Sequence, residues 1–293
     1  MQIRKLVKSG AASHTISLPK DWISRNQLKK GDLLYLNEDK NNIIVSAEEK
    51  RLEQKEKEIT IQVDDQEINS LRRKTISAYI NNYHLFTFIG DSLNTKLGDI
   101  RKILHNFLAL EIVEQTATRL VAKDFLNLKE FSIPTTIRRM DMLTRSIITD
   151  AKKGKKEYQA LYFRDFEVDK LFFLVSRLIR SHLENQAMEI SNIKAHSTWW
   201  LAKNFESISD GAKNISNNFK EDIAGIYDEV EQYYLECAKA YFKNDKNLAD
   251  QMINKRVKLL EKCDKLKSEN KYLLKGMINN SRNISKIILD SED

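Results

Sequence analysis

From Ile133 to Asp293 the chain carries one proline, Pro134, and only four glycines, Gly154, Gly211, Gly225 and Gly276. A stretch so poor in breakers and so rich in Leu, Lys, Glu and Ile has few options other than helix. Six helices fit, over about 134–151, 156–189, 197–216, 219–243, 246–269 and 271–289. The second carries Leu161, Asp165, Val168, Phe172, Val175 and Ile179, spaced alternately four and three apart. The third carries Leu201, Phe205, Ile208, Ala212, Ile215 and Phe219 with the same rhythm. These are the apolar stripes of a helical bundle. Two sets of three helices point to a duplicated three-helix unit over residues 131–293.

The preceding residues have another period. Over 59–130 the pattern is strand (59–63), helix (67–83), strand (85–89), helix (94–108), then two hairpin strands (111–116 and 119–123). This predicts a small ferredoxin-like α/β segment. Residues 48–58 are almost all charged and read as a linker. Residues 1–47 hold short strands and turns: Ile3 to Val7, Thr15 to Leu18, Leu33 to Leu36 and Ile43 to Val45 as strands. A helical turn opens at Pro19, and turn chemistry lies at Gly31-Asp32 and Asp39-Lys40-Asn41-Asn42. So few strands cannot close a core in one chain. A dimer with interleaved hairpins would. The fold class expected is therefore α+β and multidomain.

Charge is uneven along the chain. Residues 1–30 hold Arg4, Lys5, Lys8, Lys20, Arg25, Lys29 and Lys30 against the single acid Asp21, while the whole chain has a net charge of +7. Such a concentration fits either a phosphate-backbone binder or a solvated basic surface. No apolar run approaches a membrane span, and the basic start lacks the apolar core of a signal peptide, so cytoplasmic location without membrane insertion is expected. Cys237 and Cys263 have no paired spacing and read as buried, idle thiols. The four histidines after His14 lack ligand spacing, and His182 falls on the bundle stripe as a core residue. Trp199-Trp200 reads as packing at a helix start, with a docking surface as the alternative. No glycine-rich phosphate loop, nucleophile elbow or HExxH is present, and nothing argues for an enzyme.

Two acidic pairs carry the remaining chemistry. Asp165 interrupts an apolar stripe, and Asp169 lies one turn on. Glu206 and Asp210 repeat the spacing on the next helix. A carboxylate facing a bundle core is costly unless paired, and acids at i and i+4 repel. Four converging carboxylates would suit a hard cation. The alternative is ordinary ion pairing, with Arg164 against Asp165 and Asp169, and Lys203 against Glu206.

Two resemblances follow from these residues. Arg4-Lys5-Leu6-Val7-Lys8-Ser9-Gly10, His14-Thr15-Ile16-Ser17-Leu18-Pro19-Lys20-Asp21-Trp22 and Leu28-Lys29-Lys30-Gly31-Asp32 resemble the AbrB/SpoVT DNA-binding domain, a swapped-hairpin β-barrel made from two chains. Arg164-Asp-Phe-Glu-Val-Asp169 and Phe205-Glu206-Ser-Ile-Ser-Asp210-Gly-Ala-Lys-Asn-Ile215 resemble the acidic helix and closing motif of PhoU-type phosphate-uptake regulators, with Arg138-Arg139-Met140 fitting the opening helix. The combination is similar to archaeal PhoU-related regulators with an N-terminal AbrB-like domain.

The resemblance implies a PhoU-like bundle with a bound metal (Fe, Mn, Mg or Zn) on Asp165, Asp169, Glu206 and Asp210. Gly211 stands where the motif has His. The second repeat has Asn254 to Lys258 and Arg282 to Ser285 where acids would be, so its site looks lost. It also implies a homodimer that contacts DNA through Arg4, Lys5, Lys8, Ser13, His14 and Lys20. Phosphate-responsive transcription regulation follows, with a phosphate ABC transporter or signalling protein as partner. Two other readings are an adaptor or negative regulator of a transporter, in which the AbrB-like domain only dimerises, and a metal-dependent bundle enzyme.

Overall fold

The computed structural model describes residues 3–11, 13–39, 42–47, 57–185 and 190–291. The chain divides into two compact units, residues 1–55 and 56–293. Helices dominate, with small sheets ahead of a helical C-terminal region.

The first unit holds two small hairpins. Strands β1 (Val7–Lys8) and β2 (His14–Thr15) pair antiparallel, with Lys8 opposite His14. Gly10 takes a positive φ of 82° in the turn between them, a conformation that a side chain would resist. Helix α1 (Lys20–Arg25) follows Pro19, which sits at the N-cap rather than inside the first turn. Asp32 closes the next turn by accepting from the Lys29 amide at 2.7 Å. Strands β3 (Tyr35–Asp39) and β4 (Asn42–Ser46) form the second hairpin, with Leu36 opposite Val45.

Pairing within this unit is shorter than the sequence pattern predicts. Ile3 to Leu6 and Ile16 to Leu18 have strand composition but no strand assignment. No described residue of the unit is buried. The described residues of one chain form two separate two-stranded sheets here, not a closed barrel. The turn at Lys40 and Asn41, most of the charged linker (48–56), and residues 186–189 at the expected end of the second long helix lie outside the described residues.

The second unit opens with β5 (Lys57–Gln62), α2 (Ile68–Ile80), β6 (Tyr83–Ile89), α3 (Leu93–His105), β7 (Leu110–Gln115) and β8 (Arg119–Asp124). The sheet order is β5-β6-β8-β7. This corrects the ferredoxin-like expectation. In that topology another strand separates the two strands of a β-α-β unit. Here β5 and β6 are adjacent and parallel, with Ile59 beside Phe86 and Ile61 beside Phe88. The apolar residues of the two strands can then share one core with Leu71, Ile100 and Leu120.

Six helices follow: α4 (Ile133–Ala151), α5 (Tyr158–Asn185), α6 (Asn192–Asn217), α7 (Ala224–Lys243), α8 (Lys246–Asp264) and α9 (Lys271–Leu289). α4, α5 and α6 pack on one another, α7, α8 and α9 do likewise, and α6 lies against α9. The stripe residues Leu161, Val168, Val175, Leu201, Phe205, Ile208, Ala212 and Ile215 are all buried. Side-chain caps set two of the starts: Ser191 accepts from the Lys194 amide at 3.2 Å, and Asp245 from the Leu248 amide at 2.9 Å.

Helix α5 has a second working face, turned toward the α/β layer. Phe166 stacks on His105, and Phe173 packs against Phe107 with ring centroids 5.5 Å apart. Arg177 is 0% exposed. Its Nε donates to Asn82 at 3.0 Å, its Nη2 pairs with the equally buried Asp124, and its guanidinium lies 4.4 Å from the Tyr79 ring centroid. The helix is at once a wall of the bundle and a support of the sheet layer.

Candidate functional sites

Each unit carries one of the sequence-predicted sites. In the first, Arg4, Lys5, Lys8, Ser13, His14 and Lys20 are all exposed. The β1–β2 register puts Lys8 and His14 side by side across the hairpin. Ser13 works locally, its hydroxyl donating to the Ser9 carbonyl across the turn. The geometry thus presents cations on a short, solvated hairpin.

The same unit exposes an unusual amount of apolar surface. Ile3, Leu6, Val7, Ile16, Leu33, Leu36 and Ile43 are each more than half exposed, Leu33 at 78% and Leu36 at 68%. Single exposed apolar side chains need no explanation, but a set this dense on fewer than fifty residues does.

In the second unit the four predicted acids do converge, on the seam between α5 and α6. Asp165 is buried, at 4% exposure. Its Oδ1 accepts from Ser209 Oγ at 2.6 Å and its Oδ2 from Lys213 Nζ at 2.6 Å. The same ammonium lies 2.7 Å from Asp210 Oδ1, and Asn214 donates to the other Asp210 oxygen at 3.1 Å. Glu206 pairs with Lys203 at 2.5 Å and accepts from Ser207 at 3.0 Å. Asp169 accepts no hydrogen bond from a described residue.

The electrostatics follow from this geometry. Burial pushes the Asp169 carboxyl up to about 7, and the fields of Asp165 and Glu206 add to it. Burial also raises Asp165, against the pull of Lys213 and Ser209. For Lys213 burial works to lower the pKa, but the hydrogen bonds to Asp165 and Asp210 outweigh it and hold the ammonium charged.

The metal centre expected from the resemblance does not fit this arrangement. The cation among the acids is Lys213, and the described residues contain no group of three or more acid, His or Cys ligands able to hold a metal. The alternative pairing is half met. Lys203 serves Glu206, but Arg164 turns away to Asp150 at 2.7 Å. In the second three-helix set, α8 and α9 are bridged by Arg256 donating to Asn279 at 2.8 Å.

Lys213 and Ser209 were missed as site residues, although both lie within one turn of Asp210. Arg177 and Asp124 were missed as well. Gly211 has a packing reason: a Cβ there would meet Met277 Cγ of α9 at 3.1 Å, so any side chain at this position requires Met277 to give. His182 is buried, as the core reading expects. Trp200 packs against the bundle core, while Trp199 remains 41% exposed and leans on Phe172. Both cysteines are buried and free, with burial lifting the Cys237 thiol to about 12.

Comparison with family models, with curated proteins and with solved structures finds no match for this chain. Among the described residues no helix is long and apolar enough to cross a membrane.

Proposed function

We propose that this chain is a DNA-binding transcription regulator of phosphate uptake that works as a homodimer. The observation that carries the reading is the first unit's inside-out surface. It has strands, bases and many large apolar side chains, yet no buried residue among those described. A chain that exposes Leu6, Leu33, Leu36 and Ile43 together needs a cover, and an interleaved second copy supplies the matching surface. A swapped-hairpin barrel of two chains meets that need and also accounts for strand-like segments left unpaired within one chain. Dimerisation would present two copies of Arg4, Lys5, Lys8 and Lys20 to the two strands of a duplex.

The link to phosphate rests on the likeness of residues 164–215 to PhoU-type helices. In this reading the bundle senses phosphate status or docks a transporter or signalling protein, and the cytoplasm is its compartment. Metal occupancy is not part of the proposal, because Lys213 already stands between Asp165 and Asp210, and Lys203 pairs with Glu206.

The test is DNA binding by the full chain over a salt series, with Arg4→Ala/Lys8→Ala alongside wild type. Each lost phosphate contact lowers the salt slope by about 0.9 in B-DNA, so the double variant should lose about 2 per protomer. A slope identical to wild type rules out this basic strand as the DNA surface. A stable dimer with no salt-dependent DNA binding favours the adaptor reading, in which the first unit only joins two chains.

A further inference from the structure

We infer that Lys213 is a built-in counter-cation, standing where a bound metal would stand and making the acid cluster of the bundle independent of divalent ions. The inference concerns the second unit alone, so its failure would leave the DNA-binding reading intact.

Three observations support it. First, the ammonium bridges two helices in the way a bound cation would, 2.6 Å from Asp165 on α5 and 2.7 Å from Asp210 on α6. Second, it is enclosed: the Lys213 side chain is only 11% exposed, with the Tyr162 ring 5.9 Å away. Third, three of the four acids have partners of their own, and only Asp169 accepts no hydrogen bond from a described residue. Ser209 holds Asp165, Asn214 holds Asp210, and Lys203 holds Glu206.

A divalent ion would have to expel the ammonium and strip these partners. It would also have to sit against a positive charge tethered on the same helix as Glu206 and Asp210. A tethered amine instead needs no loading, and its local concentration is fixed by the fold. The consequence is specific. Whatever reaches this bundle as a signal, metal occupancy at the α5–α6 seam is not it.

The experiment compares full-length wild type with Lys213→Ala, each stripped with EDTA and then given millimolar Mg²⁺, Mn²⁺ or Zn²⁺. Thermal unfolding and elemental analysis are the readouts. Wild type should hold no stoichiometric metal and show no shift with any ion. Lys213→Ala should melt lower by on the order of 5–10 °C, because it leaves Asp165 buried without its cation. Part of that loss should return with divalent ions, with metal now bound to the variant.

Stoichiometric metal in wild type would overturn the inference. So would a folded Lys213→Ala with wild-type stability, or one that no ion stabilises. Should Lys213→Ala not fold, Asp165→Asn/Lys213→Met removes both charges together. Recovery of folding in that pair supports the compensation, and failure to recover overturns it.

Discussion

The two units of this chain solve the burial problem in opposite ways. Residues 56–293 bury their own stripes. Tyr79, Phe86, Phe205 and Tyr234 are wholly enclosed, and even a guanidinium, Arg177, is sealed in with its partner. Among the residues of 3–47 whose side chains are described, not one is buried. Both regions contain strands and large apolar residues, so composition is not the difference. The difference is how many layers one chain can bring together. Two short hairpins and one helical turn make no second layer, whereas the eight described α-helices and four-stranded sheet of the second unit do. In the proposed dimer the first unit would stake its stability on association, whereas the second encloses its own core.

The largest effect should come from breaking the self-contained side at its most enclosed point. Arg177→Ala strands the buried carboxylate of Asp124 and should cost about 3–5 kcal/mol in a denaturant titration. The cost should not depend on protein concentration. Arg177→Met with Asp124→Asn should recover much of it.

The next test reverses the logic. Leu36 is already 68% exposed in one chain, so Leu36→Asp in a monomer should change stability by less than about 0.5 kcal/mol. In a dimer that covers Leu36, the same change should cost about 2–4 kcal/mol of association. Sedimentation of wild type and variant at matched concentrations separates the two outcomes. An unchanged particle size would erase the proposed contrast between the units.

A third prediction concerns pH and the second unit only. Asp169 sits at about 7 when folded against an ordinary value of 3.8, so the folded state holds its proton more tightly. Its contribution to stability is then complete at low pH and drains away as pH rises from about 4 to 7. Asp169→Asn keeps a neutral group there. It should stabilise the fold by about 1–3 kcal/mol at pH 8 and by nothing at pH 3, allowing for partial solvent screening. Melting curves of both proteins across that range should converge toward acid.

The smallest effect belongs to Gly211→Ala. Helix propensity favours alanine by about 1 kcal/mol, while Met277 must give by a few tenths of an ångström. The net change should stay within about 0.5 kcal/mol of zero, and Gly211→His should be clearly destabilising by comparison.

Much of the architecture was legible because helical stripes are periodic. Leu161 to Ile179 and Leu201 to Ile215 announced buried faces, and the structure has them. Ends were less legible. α6 begins at Asn192, several residues early, because Ser191 caps it. α7 begins later because residues 221–223 form a 3₁₀ turn.

The acid cluster was half legible. The i,i+4 spacing identified the carboxylates, and the Lys213 spacing from Asp210 was equally visible. Which of several nearby lysines turns inward depends on where α5 lies, and that is a tertiary fact. Arg177 and Asp124, 53 positions apart, were legible only after the fact. The stripe Phe166, Phe173, Arg177 then stands out as a second face of one helix. The sheet order failed for a like reason. Strand and helix succession is local, but whether β6 lands beside β5 is decided by shared apolar cover.

The Arg177 clasp has a mechanical consequence. Because one helix serves both the bundle and the sheet layer, and is riveted to the latter by a sealed ion pair with an aromatic backing, the seam between them is a weld and not a hinge. A tilt imposed on α5 from the bundle side would carry the floor of the sheet with it, as a beam carries both rooms it spans.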